Sequence, residues 1–186
     1  MQKIKSIIFG ILAALGALVL EFVLSDAYFI FSGKEIEMSY STQITFFLFL
    51  VVLIEEIAKY ILISKLYVQQ KPYEQKISTA LLIGLGFALV ESTFTYLHQD
   101  FSHLYLGITS SAFLHILTAG IIGYLIISRN FQLSALKIVG TSSILHTTYN
   151  LTIIYNLGYF LTYSYLTIIL LLFIFFAQKT KHLDRI

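Results

Sequence analysis

The chain has 186 residues, of which 58% are hydrophobic and only 12% are charged. Soluble domains carry roughly 25% charged residues, so this composition excludes an ordinary water-soluble globule and indicates a membrane protein. The net charge of +2, without a basic patch interleaved with aromatics, excludes a nucleic-acid binder. Cysteine is absent, so disulfides and thiolate chemistry are excluded, and any metal would need histidine and carboxylate ligands.

Six apolar stretches approach the length of about 20 residues that a helix needs to cross a bilayer. In chain order, the predicted spans are residues 4–24, 41–64, 78–97, 107–128, 134–156 and 158–178, with a very tight turn between the last two. The first span has no small-residue cleavage site, so we interpret it as a retained anchor rather than a signal peptide. The sequence therefore predicts an all-α polytopic bundle of about six transmembrane helices, with residues 1–186 forming a single integral membrane domain.

The positions of the basic residues predict the orientation of the bundle, because short loops rich in lysine and arginine stay in the cytoplasm. One side of the six-span arrangement receives Lys3, Lys5, Lys65, Lys71, Lys76, Arg129, Lys137, Lys179, Lys181 and Arg185. Both termini are therefore expected in the cytoplasm. We expect a multi-pass protein of the cell membrane, surrounded by membrane lipids, and the Lys-rich, Arg-poor usage indicates a bacterial origin.

Several ionisable or strongly polar residues interrupt the predicted spans. A charge near the bilayer centre costs at least about 2.5 kcal/mol, so such residues indicate a functional site. For each one taken singly, a polar contact that holds two helices together is an equally good explanation. Glu21 lies near the outer end of its span, and we assign it no role. The set comprises Glu21, Glu55, Glu56, Lys59, Glu91, His115, His146 and Asn150.

Most of these residues are predicted to lie at one depth in the membrane. A helix rises about 1.5 Å per residue, which places Glu55 and Glu56 about 15 Å from the cytoplasmic boundary. The same count places Glu91, His115 and His146 about 20 Å from it. Unrelated interhelical contacts need not coincide in depth, so the coincidence favours one shared internal site.

Spacing within the second span adds a prediction about its charges. Glu55 and Lys59 are four residues apart and share a helix face, so we expect an ion pair between them. Glu56 projects about 100° away from Glu55, so the two carboxylates should have different roles, one towards a cavity and one towards a neighbouring helix. Two carboxylates this close can supply a general base.

The fifth predicted span carries a second polar face. Ser142 and Asn150 each lie four residues from His146, so the three side chains project from the same side of the helix. We expect these neighbours to hold the imidazole in one tautomer, with Asn150 in a supporting role.

Four short patterns occur in a distinctive order. Residues 55–59 read E-E-x-x-K, residues 87–91 read F-x-x-x-E, His115 follows on the next span, and residues 146–150 read H-x-x-x-N. In order and placement, residues 54–150 resemble the PrsW family of bacterial intramembrane proteases. That family is related to the CAAX prenyl endopeptidases and the bacteriocin-processing membrane proteases. Glu91 stands where the CAAX branch has a histidine, so the chain is more similar to PrsW.

The resemblance implies hydrolysis of a peptide bond in or near the membrane, with a glutamate activating water. The expected substrate is a membrane-anchored protein or peptide. Carried over residue by residue, the catalytic set would be Glu55, Glu56, Glu91, His115 and His146, with Lys59 and Asn150 supporting it.

Two mechanisms are compatible with these residues. In the first, zinc is bound by Glu91, His115 and His146, and a glutamate of the second span is the base. In the second, a glutamate activates water without a metal, and a histidine or Asn150 stabilises the oxyanion. The chain lacks an H-E-x-x-H pattern, the commonest zinc-protease signature, so the sequence favours the metal-free mechanism.

Two other classes of function remain open at this point. Intramembrane glutamate, histidine and lysine also build proton-coupled transporters and channels, although these usually show an inverted repeat and broken helices. The sequence contains neither feature. A non-catalytic membrane scaffold or immunity protein could also keep a polar core for folding alone.

Overall fold

The computed structural model describes residues 2–33, 42–67, 73–98, 104–127 and 134–183. Within these ranges the chain forms six α-helices and no strand, which confirms the all-helical prediction. The helices are α1 (Gln2–Ser32), α2 (Thr42–Tyr67), α3 (Tyr73–His98), α4 (Leu104–Ile127), α5 (Ala135–Ile154) and α6 (Tyr159–Leu183).

Four of these helices, α1, α3, α4 and α6, are long and apolar enough to cross a membrane. A helical backbone suits this environment because it satisfies its own hydrogen bonds where no water is present. The other two are also long, about 39 Å for the 26 residues of α2 and about 30 Å for the 20 residues of α5. The α2 helix carries four charged side chains, and several hydroxyl side chains make α5 less apolar, so the spanning of both helices stays a prediction. The chain is a polytopic helical membrane protein.

The orientation of the bundle also stays a prediction. Its evidence is the charge of the connecting segments, and residues 34–41, 68–72, 99–103 and 128–133 lie outside the described ranges.

The predicted tight turn between the last two helices is confirmed. The amide of Leu157 donates to the carbonyl of Thr152, and the amide of Asn156 donates to that of Ile153, both at 3.0 Å. These two hydrogen bonds form a Schellman motif, which ends a helix and requires one residue in the left-handed conformation. Asn156 is that residue, with φ 46°. Gly158 follows at φ 85°, and α6 begins at the next residue.

Glycines bring the first, third and fourth helices into close contact. A Cβ on Gly10 of α1 would lie 2.1 Å from the carbonyl oxygen of Ile83, beside Gly86 of α3. On α3, a Cβ on Gly84 would lie 2.6 Å from the carbonyl oxygen of His115 on α4. Only glycine permits backbones to approach this closely, as is common between membrane helices.

The α2 helix lies inside the bundle and contacts α1, α3, α4 and α5. Its Glu56 and Lys59 side chains are fully buried. On one side of α2, an apolar cluster joins α2 to α6 and includes Ile63, Ile83, Leu117, Ile121, Ile122 and Ile169. On the other side, Ala13, Ala14 and Ala17 of α1 pack against Phe87 of α3. The polar residues of α2 are thus surrounded by helices on several sides.

Candidate functional site

The buried ammonium of Lys59 is the centre of a polar cluster. Its Nζ donates to Glu56 Oε1 at 2.6 Å and to His115 Nδ1 at 2.8 Å. A third, longer bond reaches Thr118 Oγ1 at 3.4 Å. The ammonium also lies 4.5 Å from the centre of the Phe87 ring, a distance typical of cation–π contacts. Three acceptors and one π face thus offset the cost of burying this charge.

Glu56 makes hydrogen bonds through both carboxylate oxygens. Its Oε1 accepts from Lys59 and from His146 Nδ1 at 2.8 Å, and its Oε2 accepts from the hydroxyl of Ser142. The predicted pairing of Lys59 with Glu55 is therefore wrong, because the lysine bonds the carboxylate three residues away rather than the one four residues away. Both separations place side chains on neighbouring positions of a helix, so spacing alone does not choose between them.

Glu55 is far less constrained than its neighbour. Its Oε2 lies 3.5 Å from His146 Nδ1, and its side chain is 14% exposed. Among the described residues, this oxygen is buried without a hydrogen-bond partner. The expectation that the two adjacent glutamates differ is thus matched by the geometry, with Glu56 bonded on all sides and Glu55 holding an unused acceptor.

The partners of the two histidines determine their tautomers. An ammonium can only donate, so His115 Nδ1 carries a lone pair, and its Nε2–H donates to Glu91 Oε2. A carboxylate can only accept, so His146 Nδ1–H donates to Glu56, and the lone pair of His146 is on Nε2. The tautomer of His146 is set by another helix, not by the serine and asparagine on its own helix as predicted.

Aromatic contacts fix the planes of the imidazoles. The Phe87 ring stacks on His115 with centroids 4.9 Å apart and planes at 28°. The two imidazoles meet edge to face, again with centroids 4.9 Å apart. The F-x-x-x-E pattern contains Phe87, but the pattern alone predicts no role for it. Phe87 lies four residues before Glu91, and residues four apart share a helix face. This spacing could have predicted that Phe87 faces the same cluster as Glu91.

Two more carboxylates lie towards the edge of the cluster. The side chain of Glu91 is 38% exposed, although it bonds the buried His115. Glu21 of α1 interacts electrostatically with both Glu91 and Glu55. The sequence predicts no role for Glu21. The small residues Ala13, Ala14 and Ala17 were an available signal, because small side chains line contacts between membrane helices. Glu21 lies four residues after Ala17, on the same face.

The predicted site residues thus occupy one region, although not all in the expected places. One ligand atom from each of Glu55, Glu56, His115 and His146 lies within 4.8 Å of the others. This group differs from the predicted metal set of Glu91, His115 and His146, because Glu91 bonds the far side of the His115 ring. Asn150 is partly buried and lies one helical turn beyond His146.

A family model for PrsW family intramembrane metalloproteases matches residues 3–177, which is nearly the entire chain. The chain belongs to the PrsW family. The match confirms the resemblance and extends it from residues 54–150 to both flanking helices. No curated protein and no solved structure matches the chain. By family, the chain is a membrane protease, and the family description favours the metal-dependent alternative over the metal-free one.

The residues present fit a divalent metal. Two carboxylates and two imidazoles form a donor set that suits zinc and its neighbours among the transition metals. Tetrahedral zinc at about 2.0–2.1 Å from its ligands places them about 3.3 Å from each other. The donors, which lie up to 4.8 Å apart, would need to approach one another by up to about 1.5 Å.

The charges around the cluster also favour a cation. Counted over the described residues, Lys59 is the single lysine or arginine in a cluster that includes Glu21, Glu55, Glu56 and Glu91. One ammonium does not compensate several carboxylates in an environment of low dielectric constant. A bound divalent cation would reduce this imbalance.

Proposed function

We propose that this chain is an intramembrane endopeptidase that hydrolyses a peptide bond of a membrane-anchored protein or peptide. In this proposal Glu55 is the general base, and Glu56, His115 and His146 hold a divalent metal, with zinc the ion best suited to them. Metal binding would replace the hydrogen bond that His146 Nδ1–H donates to Glu56, since a coordinating nitrogen needs a lone pair. One observation carries the assignment. Glu55 Oε2 is buried without a hydrogen-bond partner in the described structure, beside three donors that are fixed by their neighbours.

The contrast between the adjacent glutamates supports Glu55 as the base. A general base needs a free lone pair directed at the water that it deprotonates. Both oxygens of Glu56 already accept hydrogen bonds, whereas Glu55 Oε2 has an unused acceptor 3.5 Å from His146 Nδ1. Glu56 is correspondingly suited to a fixed position as a ligand.

Glu91 has a separate role in this proposal. It accepts the Nε2–H of His115 and thereby leaves the Nδ1 lone pair directed into the cluster. Carboxylates that bond the far nitrogen of a ligand histidine orient the ring and raise its basicity. The stacked Phe87 ring restricts His115 further. Glu91 is therefore proposed as a positioning residue rather than as a metal ligand.

The reaction balances with the residues at hand. Glu55 accepts one proton from water as the water oxygen bonds the scissile carbonyl carbon, and it returns that proton to the leaving nitrogen when the C–N bond breaks. A bound divalent ion supplies Lewis-acid polarisation of the carbonyl and a more easily deprotonated water. Asn150, one turn beyond His146, can donate a hydrogen bond to the carbonyl oxygen as it gains negative charge.

The substrate class follows from where these residues lie. They project from helices that are buried within a membrane protein, so the scissile bond has to reach them within or beside the bilayer. A membrane-anchored segment meets this requirement. We therefore propose membrane-anchored proteins or peptides as substrates.

The test uses purified full-length chain in detergent micelles and a panel of single-span membrane reporters with an epitope tag at each end. Glu55→Gln should reduce the cleavage rate by at least about 100-fold, as is typical for loss of a general base. Asp26→Asn, an equivalent change at an exposed position of α1, should cleave at the wild-type rate. Unimpaired cleavage by a folded Glu55→Gln variant would contradict the assignment of the base.

Metal removal tests the second half of the proposal. Dialysis against a chelator, confirmed by elemental analysis, should abolish cleavage, and added Zn²⁺ or Co²⁺ should restore it. Cleavage that survives complete removal of the metal would exclude the metal and favour the metal-free mechanism with the same base.

A further inference from the structure

The Lys59 ammonium bonds two of the donors that are proposed to hold the metal. It lies 2.6 Å from Glu56 Oε1 and 2.8 Å from His115 Nδ1. Both atoms belong to residues of the four-member group whose ligand atoms lie within 4.8 Å of each other. The side chain is fully buried, so these contacts are not competing with water.

The lone pairs used by the ammonium are the same ones that a metal requires. His115 has one lone pair, on Nδ1, because its other nitrogen donates to Glu91. That lone pair is directed at Lys59 Nζ. A metal ion bound to Nδ1 at about 2.0–2.1 Å would therefore lie in the space that the ammonium occupies. Two cations cannot share this position, because their charges repel and each lone pair serves one partner.

We propose that Lys59 competes with the metal for its own site, so that metal binding displaces the ammonium from Glu56 and His115. The proposal rests on the metal site assigned above and adds a second state of that site. Without metal, Lys59 compensates the Glu56 charge and holds the donors close together. With metal, the ammonium withdraws.

The surroundings of Lys59 provide a place for the withdrawn ammonium. Thr118 Oγ1 is 3.4 Å from Nζ and belongs to α4, outside the four-member group. The Phe87 ring offers a π face 4.5 Å from Nζ. A lysine has four rotatable side-chain bonds, so a small rotation can exchange the two short bonds for these contacts. The lysine thereby remains paired in both states and lowers the affinity for metal without leaving an uncompensated charge.

The experiment compares metal binding by the wild-type chain and by Lys59→Met, which keeps the length of the side chain and removes its charge. The probes are Zn²⁺ in calorimetric titrations and Co²⁺ followed by its visible absorption, both with purified full-length protein in micelles. Lys65→Met is the matched control, since Lys65 is exposed on the same helix. Lys59→Met should bind both metals at least about tenfold more tightly than wild type, because the competing charge is gone, and Lys65→Met should not differ.

Equal or weaker binding by a folded Lys59→Met variant would overturn the proposal, since it would make the lysine neutral or helpful to the metal. Lys59→Gln provides a second variant in case the methionine variant does not fold. Its amide can still donate to Glu56, but it carries no charge, so it should also bind the metal more tightly.

A measurement on the wild-type chain avoids the risk of misfolding altogether. In protein labelled with ¹⁵N in its lysine side chains, the buried ammonium of Lys59 should give a resonance that is absent from Lys59→Met. Added Zn²⁺ should shift this resonance in proportion to site occupancy and leave that of Lys65 in place. A Lys59 resonance that does not respond to bound metal would contradict displacement.

The results separate this proposal from the proposed function. Tighter metal binding by Lys59→Met with no cleavage by any form would support the competition and count against the protease assignment. Cleavage that depends on Glu55 while neither wild type nor Lys59→Met binds metal would keep the protease and overturn both the metal site and the competition.

Discussion

The two ends of α1, α3 and α4 differ sharply in how they pack. All but one of the buried residues of these helices lie in three segments, which we call the closed half: α1 up to Ala17, α3 up to Ala88 and α4 from Leu114 onwards. In the remainder of these helices, the open half, Ser110 is the single buried residue among those whose burial is described. The charged cluster lies where the two halves meet, with Lys59 fully buried and Glu91 partly exposed.

This difference shows how a membrane protein can meet two opposed requirements at one site. Rigid packing on one side holds Glu56, His115 and His146 in fixed positions, which a preorganised site requires. On the proposed function, the looser packing on the other side would admit the reactants that a fully packed core would exclude. Glu91 lies at the boundary between the two halves, because its partly exposed carboxylate bonds the fully buried His115.

The largest expected effect comes from removing apolar volume in the closed half. Ile83 of α3 is fully buried, and Ile83→Ala should lower the free energy of unfolding by about 2–5 kcal/mol because it leaves a cavity. Leu97, near the other end of the same helix, is 67% exposed, and Leu97→Ala should change it by no more than about 0.5 kcal/mol. Thermal or denaturant unfolding in micelles measures both. Equal losses would mean that the open half is as well packed as the closed half.

The same contrast shows what sequence could and could not predict. Six helices, the tight turn before α6 and the convergence of polar residues at one depth followed from apolar run lengths and from the constant rise of a helix. Partner choice did not follow, since Glu55 and Glu56 are both within one turn of Lys59. The choice is made by His115 on another helix, which bonds the same ammonium as Glu56. Contacts that depend on how helices cross are not encoded in spacing along one of them.

Ser142 and Thr118 illustrate the same limit. Ser142 was expected to support the imidazole on its own helix, but it donates to Glu56 of α2. Thr118 was not singled out, although it lies three residues after His115 and shares its helix face. A polar residue at that spacing from a site histidine is a signal that sequence reasoning could have used.

A smaller effect is expected where α1 contacts α3 in the closed half. Gly10→Ala would place a Cβ 2.1 Å from the carbonyl oxygen of Ile83, so α1 must move away from α3. We expect a loss of stability of about 1–3 kcal/mol, as for other overpacked sites. Gly16 of the same helix has open space around its Cβ position, so Gly16→Ala should be neutral or stabilising by up to about 1 kcal/mol.

Unfolding temperatures of the two variants check this prediction directly. Because both substitutions add the same methyl group to the same helix, helix propensity cancels in the comparison. A Gly10→Ala variant as stable as Gly16→Ala would show that the close crossing of α1 and α3 does not contribute to the closed half.

The smallest expected effect concerns access to the cluster through the open half. The chain has no cysteine, so each introduced thiol is the only one present. A thiol at Glu91→Cys should react with a polar, membrane-impermeant reagent at least about ten times faster than one at Thr118→Cys, because reaction requires contact with reagent. Glu91 is 38% exposed, whereas Thr118 is fully buried on the closed side of the cluster. If the Thr118→Cys thiol reacted as fast in a folded protein, reagent would be reaching the cluster through the closed half. The packing difference between the halves would then not control access to the cluster, and a water molecule would reach Glu55 equally well from either end of the bundle.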